Sequence, residues 1–542
     1  MRGIVVCVDP RAAETGVEVL EDGGNAFDAA LATAFAQTVV LPFSCGVGGF
    51  LSAQLWAPQQ SEHLVIDGCL RAGARVTADM WADAVQGEAA FSGASLFADM
   101  RSDIGYTSIC TPGTVAALAQ LHERFCTMPW AELLAPAIAL ARQGFPVTPE
   151  MHMAMTRPVR APYQPDALTR LRATAACAQI YLTPNGAFRN EGDTIRNPEY
   201  ANTLERLAQA GPSDFYQGEL ATAISQDLEA NGAFVTQADL ATYRANRYAP
   251  ISTTYHDHEV FTNNAPGGGP LLVEALNILE GFDMGRLVHS GVEHLHYLGA
   301  TLQIVNHDRR EYLGDPEVIG AGPGEVLRSK ARAAQLRQAI FNGVVDRIVP
   351  PSEEPETTHL TVVDDAGNIA SITHSLGAFS GVVTPGLGFI YNNGMNRFDP
   401  RPGRASSLAP GKARLHLMMP TIVCRAGQPV MALGAPGGNA ILSACTQVLV
   451  NVVDFGMSAV EAVSAPRIHA EGSTLWGEAR LRQRVAAGLQ ERGHTVIREA
   501  ASLSQRMARV QLVCIGPDSA LTGGSDPRAG SAVMVATETS AV

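Results

Sequence analysis

Residues 357–375, TTHLTVVDDAGNIASITHS, restrict what this chain can fold into more than any other stretch. Two alternating runs surround an Asp-Ala-Gly-Asn turn, the pattern of a β-hairpin. Folding the chain about that turn sets Thr357 roughly opposite Ser375. The two-residue strand period puts Thr357, His359 and Thr361 on one face, and Thr373 and Ser375 together on one face. Hydroxyls at the open end of a hairpin suggest a nucleophile. On periodicity alone, the plainer reading is a hairpin whose threonines serve strand propensity.

The segment before the hairpin, Val349-Pro350-Pro351-Ser352-Glu353-Glu354-Pro355-Glu356, reads as an extended, exposed linker. A boundary is therefore expected just before Thr357. Upstream the chain is mostly helical. Arg11–Leu20 has helical spacing and stops at Asp22-Gly23-Gly24, and Asn25 caps a second helix with Asp28 completing the box. Amphipathic helices are expected over Thr114–Phe125, Trp130–Arg142, Tyr200–Ala210 and Val292–Asn306. Two strands flank a turn near Tyr255–Glu259. The quartet His256-Asp257-His258-Glu259 reads as a solvated turn rather than a metal cluster, and His294 and His296 lack the i,i+4 spacing of a ligand pair. Downstream, strands are expected at Thr357–Asp364, Asn368–Ser375, Gly388–Asn392, Thr421–Arg425 and Pro429–Gly434, then a helix over Ala440–Phe455.

Composition bounds the class. Apolar residues make up 46% and charged residues 17% of 542, which suits a folded globular chain and excludes disorder and coiled coil. The 39 basic and 53 acidic residues leave a net charge of −14 without a basic run, so nucleic acid and anionic membrane are not expected partners. Nine scattered Cys without a C-x-x-C pair read as reduced, buried thiols. The opening MRGIVVCVDPRAAETG lacks the features of a secretory signal, and no apolar run reaches membrane-spanning length. A cytoplasmic setting is the expectation.

Beyond these patterns, the chain resembles the γ-glutamyltransferase family along nearly its whole length. The resemblance is carried by GGNAFDAALA at 23–32, the IDG…DM segment at 66–80, TPGTVA at 111–116 and DRREYLGDP at 308–316. It continues through TTHLTVVDDAGN at 357–368, NNGM at 392–395, MPTIV at 419–423, GAPGGN at 434–439 and APRIH at 465–469. It implies an α+β fold, the four-layer αββα sandwich of N-terminal-nucleophile hydrolases. It also implies a precursor that cuts itself between Glu356 and Thr357. Residues 1–356 would form a large subunit and 357–542 a small subunit carrying the nucleophile, together one compact domain.

The implied chemistry suits these residues. Thr357 would attack the Glu356 carbonyl, and hydrolysis of the ester would free Thr357 as a new N-terminus. Its α-amine, with a reference pKa of about 7.7–8.0, can act as base for its own hydroxyl. The mature enzyme would form an acyl-Thr357 ester with a small-molecule amide and pass the acyl group to water or an amine. No metal or organic cofactor is required. The family pattern puts oxyanion donors at Gly437 and Gly438, between a strand and a helix, and aligns Ser375 with a Thr that hydrogen-bonds the nucleophile.

The resemblance fails where the family reads its γ-glutamyl head group. The Arg that grips the α-carboxylate aligns with Cys69; Arg71 lies two residues on. The paired Ser align with His416 and Leu417, and an Asn aligns with Gly377. The Gln and Asp that bind the α-amino group align with Gly394 and Arg397, so an attractive carboxylate becomes a repelling guanidinium. The expectation is an acylase whose acyl group is anionic and lacks the adjacent amine, held by Arg397, His416 and Arg414. The alternatives are a true γ-glutamyltransferase or glutathione hydrolase, the same nucleophile cutting another acyl bond, and an uncleaved binding protein. A dimer of processed heterodimers is possible in this reading.

Overall fold

In the computed structural model, residues 1–88, 95–159, 162–342 and 356–537 are described. The expected linker at 349–355 lies outside them. Two antiparallel sheets organise the rest. The first runs, in spatial order, Ala532–Ala536, Gly3–Cys7, Glu356–Asp364, Ile369–Gly377, Phe50–Ala57, Glu62–Gly68 and Asn246–Tyr248. The second runs Leu521–Ser525, Gln511–Ile515, Gln428–Gly434, Thr421–Arg425, His258–Thr262 and Ile251–Tyr255. The hairpin strand Glu356–Asp364 thus pairs with Gly3–Cys7 on one side and with Ile369–Gly377 on the other. Segments from both sides of residue 356 interleave in one sheet.

The alternation in the hairpin decides what each face meets. Leu360, Val362, Ala370 and Ile372 belong to the apolar core that also contains the helix Ala26–Val40. Every residue of that helix is buried, and Asn25 and Asp28 close its capping box as the spacing predicts. The opposite face meets the second sheet, where Ile4, Val6, Val363 and Ile369 pack with Ile422, Cys424, Ala432 and Val513. A second core joins the far side of the second sheet to the helices Gly269–Leu279, Val292–Tyr312 and Ala440–Val453. Burying both faces of a strand explains why its polar residues are paired rather than solvated.

Some boundaries differ from expectation. Gly388–Asn392 is not a strand: Tyr391 makes only an isolated bridge to Gly48, and positive φ at Gly386 and Gly388 breaks any ladder. The Asn392 side chain instead ties together the backbone of Gly48, Cys110 and Gly394. The helix starting at Val292 runs on to Tyr312. Its last turns are polar, and within them Asn306, Asp308 and Arg309 are buried, Asn306 donating to the Ala470 carbonyl and Asp308 pairing with Arg332. Of the His256–Glu259 quartet, His256 and Asp257 form the turn and His258 and Glu259 open the strand His258–Thr262, with His256 held by Asp454 and His258 by Asp257. All nine cysteines are free thiols, seven of them buried. Among the described residues no helix is long and apolar enough to cross a membrane.

Candidate active site

The hairpin ends in an irregularity at the position sequence singles out. Glu356 pairs with Gly377 and Thr358 with His374, so Thr357 faces both Ser375 and Leu376 across a bulge. Thr357 Oγ1 lies 3.1 Å from Ser375 Oγ. Both residues are buried, Thr357 at 5% and Ser375 at 2% exposure. Ser375 Oγ also accepts from the Gly377 amide at 2.9 Å, which fixes the hydroxyl beside Thr357. Gly377 has φ of +81°, and a Cβ there would come within 2.4 Å of Asn393 Oδ1. The glycine at this position is therefore a steric requirement of the bulge.

Two buried histidines brace the hairpin below Thr357. His359 Nδ1 lies 2.8 Å from Thr373 Oγ1 and its Nε2 3.0 Å from Thr361 Oγ1, on the face toward the second sheet. On the other face His374 Nε2 donates to Gln37 Oε1 at 2.7 Å, and Gln37 Nε2 donates to Thr358 Oγ1 at 3.1 Å. Burial pushes both imidazoles down to about 3, so both are neutral. Sequence periodicity assigns His359 to its face but does not reveal either network.

The glycine turn arrives from the second sheet. The Leu433 carbonyl accepts from Ser371 Oγ at 3.3 Å, and the next residue, Gly434, sits against the His359 ring. Ser371 pairs with Thr361, so the strand travels from the level of Thr361 toward Thr357 as it leaves the sheet. Gly437 and Gly438 follow, with φ of +138° and +53°, just before the helix Ala440–Val453. A Cβ on Gly437 would lie 2.4 Å from Ala508 Cβ. The strand-to-helix turn has the expected place in the chain and needs its glycines.

The head-group positions separate into two sets. Arg414 is buried, with its guanidinium 4.8 Å from the centre of the Phe50 ring, and Phe50 pairs in register with Ser375. A Cβ on Gly377 would lie 3.5 Å from Arg414 Nη2, which puts this cation at the hairpin mouth. Burial first and the nearby Arg397 second push its pKa down to about 9. Arg397 is half-buried at the end of the turn Gly394–Arg397. His416 is buried and lies 3.6 Å from both Asp67 Oδ1 and Cys69 Sγ. Cys69 donates to Asp67 Oδ1 at 2.9 Å, and burial, reinforced by that carboxylate, raises its pKa strongly. Arg71 is not brought into this group, because it pairs with Glu317 at 2.9 Å and donates to the Gly411 carbonyl. Gly394 packs against Cys110 and Leu70, with 2.7 Å from its would-be Cβ to each, so a longer side chain there must displace both.

Known proteins resemble this chain along most of its length. The family description Gamma-glutamyltranspeptidase matches residues 12–536. The Acylase ACY 1 proenzyme of Pseudomonas sp. (strain V22) is 36% identical over 536 residues, covering 97% of this chain and 92% of the relative. The Glutathione hydrolase proenzyme of Escherichia coli (strain K12) is 32% identical over 553 residues, covering 97% and 90%. The crystal structure of cephalosporin acylase from Bacillus halodurans superposes with a TM-score of 0.86 at 29% identity, covering 99% of this chain and 96% of that one.

Proposed function

The chain belongs to the gamma-glutamyltranspeptidase family, and from that premise we propose that it is a self-processing acylase with Thr357 as its nucleophile. The observation that carries the proposal is the 3.1 Å approach of Thr357 Oγ1 to Ser375 Oγ in a buried hairpin mouth. The precursor cuts itself by attack of the Thr357 hydroxyl on the Glu356 carbonyl, and water then hydrolyses the ester. The freed α-amine takes the hydroxyl proton when the mature enzyme attacks an amide. Ser375 orients the nucleophile. The amides of Gly437 and Gly438 receive the developing oxyanion, aided by the positive end of the helix that follows. The two facing sheets, with helical cores on their outer sides, support reading the fold as the four-layer αββα sandwich of N-terminal-nucleophile hydrolases.

The acyl group is anionic and carries no amine beside its carboxylate. Arg414 at the hairpin mouth and Arg397 close to it support this reading, since two guanidinium groups attract a carboxylate and repel an ammonium. His416, expected to share this role, is engaged with Asp67 and Cys69. The second reading, a glutathione hydrolase, has the E. coli relative in its favour.

One comparison tests both parts. Mass spectrometry of purified protein under denaturing conditions should show two chains that divide at Thr357, and Thr357→Ala should remain one chain. Processed protein should release aniline faster from a five-carbon diacid half-anilide than from its γ-glutamyl counterpart, which differs only by the α-amine. Preference for the γ-glutamyl anilide would favour the second reading, and a chain that never divides would sink the nucleophile assignment.

A further inference from the structure

Outside the Thr357 hairpin, one buried cluster combines a carboxylate, a thiol and an imidazole. Asp67 lies in the strand Glu62–Gly68, Cys69 follows it directly after Gly68, and His416 comes from the irregular segment before Thr421–Arg425. Their exposures are 1%, 2% and 4%. Among the described residues these are the only His, Cys, Asp and Glu grouped closely enough to hold a metal ion.

The three atoms Asp67 Oδ1, Cys69 Sγ and His416 Nε2 form a triangle with sides of 2.9, 3.6 and 3.6 Å. The centre of such a triangle is about 2 Å from each corner, against about 2.0–2.3 Å for zinc bound to oxygen, nitrogen and sulfur. A small lift out of the plane lengthens all three distances toward those values. The donor set suits the same cation, since borderline-soft zinc takes thiolate, imidazole and carboxylate together. A surrounding layer holds the ligands. Asp67 Oδ2 accepts from the Tyr248 hydroxyl at 3.1 Å, and the Cys69 carbonyl accepts from the Tyr243 hydroxyl at 2.6 Å. The His416 amide donates to the Pro266 carbonyl at 3.1 Å. The His416 ring packs 5.7 Å from Phe50, and its Nδ1 meets no hydrogen-bond partner among the described residues. On the Nδ1 side the ring is therefore set by packing.

Charge points the same way. Asp67 is a deeply buried carboxylate whose ion-pair partner among the described residues is His416, at 3.6 Å. Its nearer partners, the Cys69 thiol and the Tyr248 hydroxyl, are neutral donors, so a cation at the centre of the triangle would add charge compensation. One carboxylate, one thiolate and one dication sum to zero.

We propose that Asp67, Cys69 and His416 form a three-ligand site for a zinc-class divalent cation, with its fourth position filled by water or a small anion. Binding breaks the Cys69 S–H bond, forms a sulfur–metal bond and sends the proton to solvent. The site stands apart from the Thr357 chemistry, with Phe50 between its imidazole and Ser375. It goes beyond the acylase reading, which needs no metal.

Cobalt is the probe. Chelator-stripped, full-length protein titrated with Co2+ should develop a thiolate-to-cobalt charge-transfer band and intense tetrahedral d–d bands that saturate at one cobalt per chain. Zn2+ should bleach both. Thr357→Ala should behave the same, which separates this site from the proposed nucleophile. Cys69→Ser should lose the charge-transfer band, and His416→Gln should weaken binding at least tenfold. Absence of the band in the parent protein, or its survival in Cys69→Ser, would overturn the proposal. Should either variant fail to fold, X-ray absorption of the zinc-loaded parent decides. One sulfur with nitrogen or oxygen neighbours supports the site, and a shell without sulfur refutes it.

Discussion

No side chain fits between Gly434 and His359: a Cβ on the glycine would lie 2.2 Å from His359 Cε1. This contact joins the two sheets close to the hairpin mouth. It lets the strand that leads to Gly437 and Gly438 lie directly on the strand Glu356–Asp364 that carries Thr357. The imidazole opposite the glycine is itself held between Thr373 and Thr361, so neither partner can yield freely.

Gly434→Ala is therefore expected to destabilise the protein by about 1–3 kcal/mol, the usual cost of overpacking a filled core. Processing should slow as well, because the glycine turn moves with the strand. Thermal unfolding and the rate of chain division measure the two effects. Unchanged values for both would mean that the sheets are free to separate here.

Acid should destabilise the fold through the same hairpin. His359 and His374 have an ordinary value of 6.5 and are held down to about 3. The native state thus stays neutral where the unfolded chain takes up protons, and stability falls as pH drops from 6.5 toward 3. Groups facing these rings are Thr361, Thr373 and Ser371 on one side and Gln37 on the other, none of them an acid that would welcome a charge. Among the described residues His374 Nδ1 has no partner to accept a second proton. Replacing His374 by Gln should flatten the dependence of Tm on pH over that window, and an unaltered slope would refute the assignment.

What the sequence made legible is what is local. The hairpin and the Asn25–Asp28 cap depend on residues a few positions apart, and the periodicity identifies them. Gly388–Asn392 looks like a strand because it is rich in apolar residues, yet Asn392 spends its side chain on backbone groups of Gly48, Cys110 and, two residues on, Gly394. Alignment with the family brings Cys69 and His416 to notice, but Asp67 becomes their companion only in three dimensions. Arg71 shows the converse. Two residues from Cys69 in sequence, it would share that residue's face in a regular strand, but the strand ends at Gly68 and Arg71 pairs with Glu317 instead.

Ser375→Ala removes the hydroxyl that joins Thr357 to the Gly377 amide. The loss of one such hydrogen bond is worth about 1 kcal/mol, so self-cleavage should slow by roughly fivefold. Ser375→Thr keeps the oxygen and should largely restore the rate. Equal rates for the parent and Ser375→Ala would remove Ser375 from the mechanism.

Cleavage should not separate the chains. The strand that starts at Glu356 pairs with Gly3–Cys7 on one side, and Phe50–Ala57 pairs with the hairpin's second strand on the other. Native size-exclusion chromatography should therefore show one species where a denaturing gel shows two. A large chain eluting alone would contradict this topology.

Arg414 offers the sharpest test of acyl choice, because a methionine can keep its contact with Phe50 while removing its charge. A hydrogen bond to a charged group contributes about 1.5–3 kcal/mol, so Arg414→Met should lower kcat/KM for the diacid half-anilide roughly 10- to 100-fold. The γ-glutamyl anilide, whose ammonium the guanidinium repels, should lose less or gain. The ratio of the two specificity constants is the decisive reading, since damage to the fold lowers both substrates alike. If the ratio stays constant, Arg414 serves packing at the hairpin mouth, and the carboxylate of the acyl group is read elsewhere.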